Sequence, residues 1–160
     1  MRKVFLITGF NNWGKTTLLF DLFGVGAFRT DRLYPFGGQQ FMVVPKSNDD
    51  LGFKGYKKEV ARRLKKLGEV GLRPKYIASA FCPTREPQNN SIQLLHDLYG
   101  TDQIEMLLIE HKWCLHAKLQ LPIIEKFYAS EPNLTLHRVR QRQYGPKRAQ
   151  VVRTMQAQLP

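Results

Sequence analysis

The chain has 160 residues, of which 42% are hydrophobic and 24% are charged, a composition typical of a globular protein that closes its own core. Its 25 Lys and Arg residues against 13 Asp and Glu give a net charge of +12, which favours phosphate-bearing partners (nucleotide, nucleic acid or acidic membrane) or serves solubility alone. Only two cysteines, Cys82 and Cys114, and no apolar stretch near roughly 18 residues exclude a disulfide scaffold and a bilayer span.

The first predicted elements surround a glycine-containing loop. Val4–Ile7 is an apolar run that predicts a buried strand, and it is too short for a secretory signal, so we predict a cytoplasmic protein. Lys15–Phe23 predicts a helix that Gly24 ends. Residues 28–40 show no clear period and are predicted to form a long loop before a second strand at Phe41–Val44.

A basic amphipathic helix is predicted next, with Tyr56, Leu67 and the apolar residues between them on one face. Tyr76–Phe81 predicts a third strand. A helix follows, capped by Asn90 and ended at Gly100.

The last third of the chain repeats the alternation. We predict a fourth strand at Ile104–Ile109, a helix at Pro122–Ala129, a fifth strand at Leu134–Val139, and a final helix that Pro146 opens. The order indicates an α/β fold, a three-layer sandwich with a mainly parallel five-stranded sheet. Residues 1–160 are predicted to be one domain with a basic C-terminal segment over residues 138–160.

The stretch TGFNNWGKTT, residues 8–17, carries the strongest motif. Gly9 and Gly14-Lys15-Thr16 match the spacing G-x-x-x-x-G-K-[ST], and they stand between a predicted strand and a predicted helix as a phosphate loop requires. Backbone N–H groups would face the phosphates, Lys15 would reach the terminal ones, and the Thr16 hydroxyl would ligate Mg²⁺. The alternative is a glycine turn before an amphipathic helix with an incidental lysine.

Residues 4–19, VFLITGFNNWGKTTLL, resemble the opening strand, loop and helix of P-loop nucleoside triphosphatases. The wording TGF…GKTTLL is particularly similar to metallochaperone-type GTPases, and the resemblance covers about residues 3–23. It implies a P-loop fold that binds Mg²⁺ with ATP or GTP at Gly9, Gly14, Lys15, Thr16 and Thr17. The chain has neither an N-K-x-D guanine motif nor a C-x-x-C metal motif, so the base stays open.

Three bulky residues of the loop, Asn11, Asn12 and Trp13, complete the candidate nucleotide-binding set. They occupy the variable positions of the motif. Asparagine accepts left-handed backbone angles better than most residues. Trp13 is expected to stack on a ligand or to cover the loop.

Acidic residues that could complete the site follow two predicted strands. Glu110 ends the run MLLIE, as in a Walker-B-type strand, and could orient water; the alternative is a solvated strand end. Asp49 and Asp50 follow the second strand, where P-loop kinases place a carboxylate that takes a proton from a hydroxyl acceptor. Their alternative is a turn, SNDD, that caps a helix or loop.

Arginines could supply positive charge for phosphoryl transfer. Arg29 and Arg32 lie in the predicted loop after the first helix. Arg138, Arg140 and Arg142 alternate, so an extended chain would place them on one side, as a phosphate lid, a nucleic-acid contact or a solvated edge strand.

Two further patterns carry weaker hypotheses. KYIASAFCPTREPQNNS resembles a strand-to-helix segment of sulfotransferases, which use Arg and Ser on a 3′-phosphate, although Arg85 and Ser91 stand at different spacings here. The cluster of His111, Cys114 and His116 fits no standard zinc pattern, and surface histidines are the favoured interpretation.

The leading function hypothesis is Mg²⁺-dependent binding and hydrolysis of ATP or GTP, with Lys15, Thr16 and Glu110 in the main roles. A first alternative is a kinase that transfers phosphate to a small acceptor through Asp49 or Asp50. A second is a basic nucleic-acid-binding or assembly module that uses a nucleotide as a switch, with its contact surface on the helix Tyr56–Leu67 and the tail from Arg138.

Overall fold

The structure, a computed structural model, describes residues 1–112 and 120–160. In these residues the chain forms one six-stranded sheet, a separate two-stranded ribbon and five helices. In chain order the elements are β1 (Lys3–Thr8), α1 (Lys15–Phe23), β2 (Tyr34–Phe36), β3 (Gln39–Val44), α2 (Asn48–Glu69), β4 (Tyr76–Phe81), β5 (Arg85–Glu86), β6 (Asn89–Asn90), α3 (Ser91–Tyr99), β7 (Gln103–Ile109), α4 (Leu121–Tyr128), β8 (Leu134–Val139) and α5 (Tyr144–Ala157).

The sheet is mostly parallel, with the strand order β2-β3-β4-β1-β7-β8. All neighbouring pairs are parallel except β2 and β3, which are antiparallel. The central strand β1 has an apolar run in its middle, Val4–Ile7, which is fully buried. Such a continuous apolar run is what a strand covered on both faces requires.

Helices cover both faces of the sheet. Phe5 of β1 contacts Phe41 of β3 with ring centroids 5.8 Å apart, and Phe41 contacts Phe23 of α1 at 5.6 Å. The next residue, Leu6, lies opposite Ser79 of β4, whose hydroxyl is 2.7 Å from the Tyr56 hydroxyl of α2. Successive strand residues point to opposite faces, so α1 and α2 lie on opposite sides of the sheet.

The predicted α/β class and its five parallel strands are confirmed, but the predicted count of five strands is wrong. The residues 28–40 are not a plain loop, because β2 forms a hairpin with β3 there. Gly37 and Gly38 form its two-residue turn with φ of 55° and 76°. This is the backbone of a primed turn, which joins antiparallel strands at close range. Pro35 is accommodated because β2 is an edge strand.

Helix α2 begins earlier than the predicted Tyr56. Ser47 caps it by accepting from the Asp50 N–H, and the carboxylate of Asp50 accepts from the Ser47 backbone N–H, which makes a capping box. Gly52 interrupts the helix with a φ of 70°. The first turn therefore carries both acidic candidates, Asp49 and Asp50.

None of the helices in residues 1–112 and 120–160 has the length and apolar character needed to cross a membrane.

Candidate functional site

The strand order defines a crevice at the carboxyl end of β1. The chain passes from β1 to β3 and β4 on one side of it, and then crosses to β7 and β8 on the other. In open α/β sheets, ligands bind where the order reverses in this way. The loop Gly9–Gly14 lies at this point, and its Gly9 N–H donates to the Phe81 carbonyl at the end of β4, at 3.1 Å.

Two positive φ angles shape the loop. Asn12 has a φ of 60° and Gly14 a φ of 78°. Asn12 therefore adopts the left-handed backbone conformation that asparagine was predicted to tolerate. A Cβ on Gly9 would lie 3.2 Å from the Cβ of Trp13, which explains the glycine as a close approach. Trp13 is only 7% exposed, so most of its ring packs against the protein beneath the loop.

The start of α1 offers backbone donors to this crevice. Gly14 is its N-cap and provides no side-chain hydrogen bond to the first turn. The first N–H groups of a helix lack carbonyl partners within the helix, and together with the helix dipole they favour an anion. A phosphate group has the charge and the acceptor oxygens that this arrangement can bind.

Lys15 crosses the loop from the first turn of α1. Its ammonium Nζ donates to the Phe10 carbonyl at 2.6 Å, and the residue is only 5% exposed. Burial lowers the pKa of Lys15, and the acidic groups of Cys82, Asp50 and Asp49 oppose that shift. Since the ammonium has three N–H donors, it can retain the Phe10 contact and still donate to a ligand.

Thr16 connects α1 to the end of β3. Its Oγ1 donates to the Pro45 carbonyl at 2.8 Å. Because the hydroxyl proton is used there, the oxygen lone pairs remain available to accept a hydrogen bond or to ligate a cation. This geometry suits the predicted role of Thr16 toward Mg²⁺.

These groups surround a cleft of about 680 Å³. Most of the predicted nucleotide-binding residues line it, together with one predicted acid and two residues that the sequence did not indicate. The lining comprises Asn11, Asn12, Trp13, Gly14, Lys15, Thr16, Thr17, Asp50, Lys112 and Tyr144. Such a volume is within the range of small-molecule and cofactor sites.

The acidic candidates divide between two places. Asp50 lines the cleft, although its Oδ2 also accepts from the N–H and hydroxyl of Ser47, at 2.9 and 3.0 Å. Asp49 is close enough to affect the ionisation of Lys15 and Cys82. Glu110 follows β7, and its backbone N–H donates to the Val139 carbonyl at 3.0 Å. Glu110 is not among the described residues that line the cleft.

A buried amide fixes the acidic turn of α2 to the sheet. Asn48 is fully buried, and its side chain donates to the Cys82 carbonyl at 3.0 Å and accepts from the Cys82 N–H at 2.7 Å. It thus pairs with Cys82 as a neighbouring strand would. Burial raises the pKa of the Cys82 thiol to about 12, so this cysteine is a neutral packing group.

Replacement of Asn48 by Ala is expected to lower the free energy of unfolding by about 2–4 kcal/mol, because both backbone groups of Cys82 would be left buried and unpaired. Urea denaturation followed by tryptophan fluorescence measures this loss. Gln88→Ala is the matched control, since Gln88 is an exposed amide in the turn of the β5–β6 ribbon and its removal should change stability by less than about 0.5 kcal/mol. Equal stability of the two variants would refute the stabilising role of the hydrogen bonds between Asn48 and the Cys82 backbone.

Comparison of the chain with protein-family models, with curated proteins and with solved structures found no match. The interpretation of the cleft therefore depends on the geometry of its own residues.

Two oxygens that line the cleft could serve a magnesium ion that arrives with a phosphate ligand. No cluster of three or more His, Cys, Asp or Glu suited to a metal ion occurs in residues 1–112 and 120–160. Magnesium in phosphate-binding sites commonly uses one or two protein oxygens, with phosphate and water completing the shell. Thr16 Oγ1 and the Asp50 carboxylate are oxygens of this kind at the cleft.

The predicted strand Leu134–Val139 is confirmed as β8, and it contains only the first of the three alternating arginines, Arg138. Arg138 forms an ion pair with Glu125 of α4, and this carboxylate raises the pKa of Arg138. Arg140 and Arg142 are exposed in the segment after the strand. The edge position predicted as one alternative for this strand is confirmed, since β8 ends the sheet.

The basic face of α2 carries its own acidic partners. Glu59 accepts from Arg62 and from Arg63, each at 2.7 Å, and Lys66 pairs with Glu69 at 2.7 Å. Glu59 and Glu69 thus offset two of the seven Lys and Arg charges of α2, so the helix stays basic. In the loop before β2, Arg29 pairs with Asp31 at 2.9 Å.

The remaining candidates have other contacts. The Ser91 hydroxyl is buried 2.8 Å from the Tyr128 hydroxyl, and the Arg85 guanidinium lies 4.8 Å from the centre of the Phe127 ring. Arg32 lies 5.6 Å from the centre of the Tyr34 ring. None of these three lines the cleft among the residues described.

Of the proposed histidine and cysteine cluster, Cys114 and His116 lie outside the described residues. The carbonyl of His111 accepts a hydrogen bond from Lys147 at 2.8 Å.

Proposed function

We propose that the protein binds the magnesium complex of ATP or GTP in this cleft, in a P-loop-type fold, and transfers its terminal phosphoryl group. The observation that carries the proposal is the joint position of Lys15 and the uncapped start of α1 at the carboxyl end of the central strand. Both groups recognise phosphate, and both face one cleft of about 680 Å³.

Each residue has a role that follows from its chemistry. The N–H groups of the loop and of the first turn of α1 bind phosphate oxygens, and Lys15 stabilises the negative charge that develops on the transferred group. Thr16 and Asp50 would hold the magnesium ion or its water ligands, and the bound ion would neutralise charge between the phosphates. Trp13 lines the cleft with a largely buried ring, so it would support the loop and bound the space of the ligand.

The acceptor is water in the leading form of the proposal, which makes the protein a hydrolase. The position of Asp50 favours a second form, transfer to a hydroxyl group, because a carboxylate in the cleft can take the proton of an attacking hydroxyl. The capping box holds the Asp50 backbone in the first turn of α2 and leaves one carboxylate oxygen, Oδ1, outside those two contacts with Ser47.

The experiment that tests the proposal is isothermal titration calorimetry with ATP, GTP, CTP and UTP, each with and without Mg²⁺. At least one triphosphate is expected to bind at micromolar concentration only when Mg²⁺ is present. Phosphate release and transfer to a panel of hydroxyl compounds then distinguish the hydrolase from the kinase. Absence of binding for all four triphosphates would overturn the proposal.

A further inference from the structure

Two side chains line the cleft from outside the phosphate loop, and neither has a marked pattern in the sequence. Lys112 comes three residues after the end of β7, and Tyr144 is the first residue of α5. They belong to segments far apart in the chain. Their common position must therefore be fixed by tertiary contacts.

The first turn of α5 provides these contacts in two directions. The Tyr144 hydroxyl donates to the carboxylate of Asp21 on α1, and the Arg148 guanidinium donates to the Asp21 carbonyl at 3.2 Å. On the other side, Lys147 Nζ donates to the His111 carbonyl at 2.8 Å. The start of α5 thus connects the α1 wall of the cleft to the segment that carries Lys112.

The contact of Lys147 is unusual for a lysine. The residue is only 2% exposed, and burial lowers its pKa. A buried ammonium is costly unless it is hydrogen-bonded, so the His111 carbonyl must stay close to Nζ for the charged form to be tolerated. Lys147 therefore restrains the backbone of His111, and with it the next residue, Lys112.

The position of Lys112 suits a phosphate ligand. A bound triphosphate carries more negative charge than one ammonium can balance, and Lys15 is the other lysine that lines the cleft among the described residues. The ammonium of Lys112 is a compact charge on a flexible stem, which can follow a phosphate group.

We propose that Lys112 is a second phosphate-binding residue of the cleft and that Lys147 is the positioning residue that holds it there. The inference rests on the proposed function, because the ligand is the phosphate chain of the bound nucleotide. Lys147 acts through the His111 backbone and does not touch the ligand.

The test compares binding of two probes, the tightest magnesium–nucleotide complex of the panel and inorganic tripolyphosphate, to a set of variants. Lys112→Ala should weaken both by about tenfold, the value of one charge-assisted hydrogen bond. Lys126→Ala is the control, because it removes the same charge from an exposed site on α4, and it should leave both affinities unchanged.

A double-mutant cycle tests the link between the two lysines. Lys147→Met should weaken both probes as Lys112→Ala does, and the double variant should bind no more weakly than Lys112→Ala alone, since residues that act through one another are not additive. Lys147→Arg, which retains a donor, should restore part of the affinity. Thermal unfolding of each variant shows whether Lys147→Met is folded, and Lys112→Ala tests the phosphate contact without altering a buried group.

The outcomes separate this inference from the function on which it rests. Wild-type protein that binds neither probe overturns both. Binding that Lys15→Met abolishes but Lys112→Ala leaves unchanged overturns the role of Lys112 alone. Additive losses in the double variant overturn the positioning role of Lys147.

Discussion

Replacement of Lys15 by Met is expected to weaken binding of the magnesium–nucleotide complex by about 100-fold or more, because the phosphates lose the charged donor at the centre of the cleft. Met retains most of the side-chain volume, which matters for a residue that is 5% exposed. Calorimetry with the nucleotide that binds best measures the loss. Lys65→Ala removes the same charge from an exposed position of α2 and should bind like the wild type.

The Lys15→Met variant should remain folded, which makes its loss of binding interpretable. Burial lowers the pKa of Lys15 from 10.5, so the folded chain binds fewer protons there than the unfolded chain between the two pKa values. The contribution of Lys15 to stability therefore rises with pH through that window, and below it the buried ammonium is destabilising. Met removes that penalty at neutral pH. Undiminished nucleotide affinity in a folded Lys15→Met protein would refute the phosphate-loop assignment.

The strand–loop–helix order around Gly9–Gly14 could be predicted from the sequence because its determinants are local. An apolar run, a glycine, and a helix that starts at Lys15 follow one another within a few residues, and the backbone between them has few alternatives. The left-handed φ of 60° at Asn12 is one that asparagine tolerates, but the residue type alone does not select it, because Asn11 does not share it. Trp13 shows the limit of this local reasoning, because its burial depends on packing against the rest of the fold.

The partners of the loop depend on strand order, which is not local. The sequence predicted acids after β3 and after β7, and only the order β3-β4-β1-β7 shows where each lies relative to the loop. Asp50 lies at the crevice because α2 starts at Asn48, which places Asp50 in the first turn of the helix, close to the end of β3. The signal was present in Ser47 and Asp50 as a capping box, but the break at Gly52 separated it from the amphipathic pattern that starts at Tyr56.

The same limit applies to Lys112 and Tyr144. Neither has a sequence pattern, since their proximity depends on hydrogen bonds between α5, α1 and the chain after β7. The hairpin of β2 was missed for a different reason. The turn signal Gly37-Gly38 is present in the sequence. The strand before it, Tyr34–Phe36, is only three residues long and contains Pro35, so it shows no clear strand pattern.

The acid of the site is decided by a matched pair of isosteric changes. Asp50→Asn is expected to reduce phosphoryl transfer by about 100-fold or more, because an amide cannot take the proton of the attacking hydroxyl or water. Its Oδ1 can still accept from Ser47, so the capping box and the fold should survive. Affinity for the magnesium–nucleotide complex should fall by no more than about tenfold, because the amide oxygen can still accept a hydrogen bond from a magnesium-bound water although it cannot take the proton.

Glu110→Gln makes the same chemical change at the rival position, beyond the described lining of the cleft, and should retain turnover within about threefold of the wild type. Asp49→Asn controls for the loss of a negative charge beside Asp50. Initial rates of phosphate release and of transfer to the acceptor, at saturating nucleotide, measure all three variants. A large loss in Glu110→Gln with normal turnover in Asp50→Asn would reverse the assignment. That outcome would place the reacting acid on the β7 side of the central strand instead of the β3 side. Asp50 follows β3 and Glu110 follows β7, and these strands lie on opposite sides of β1.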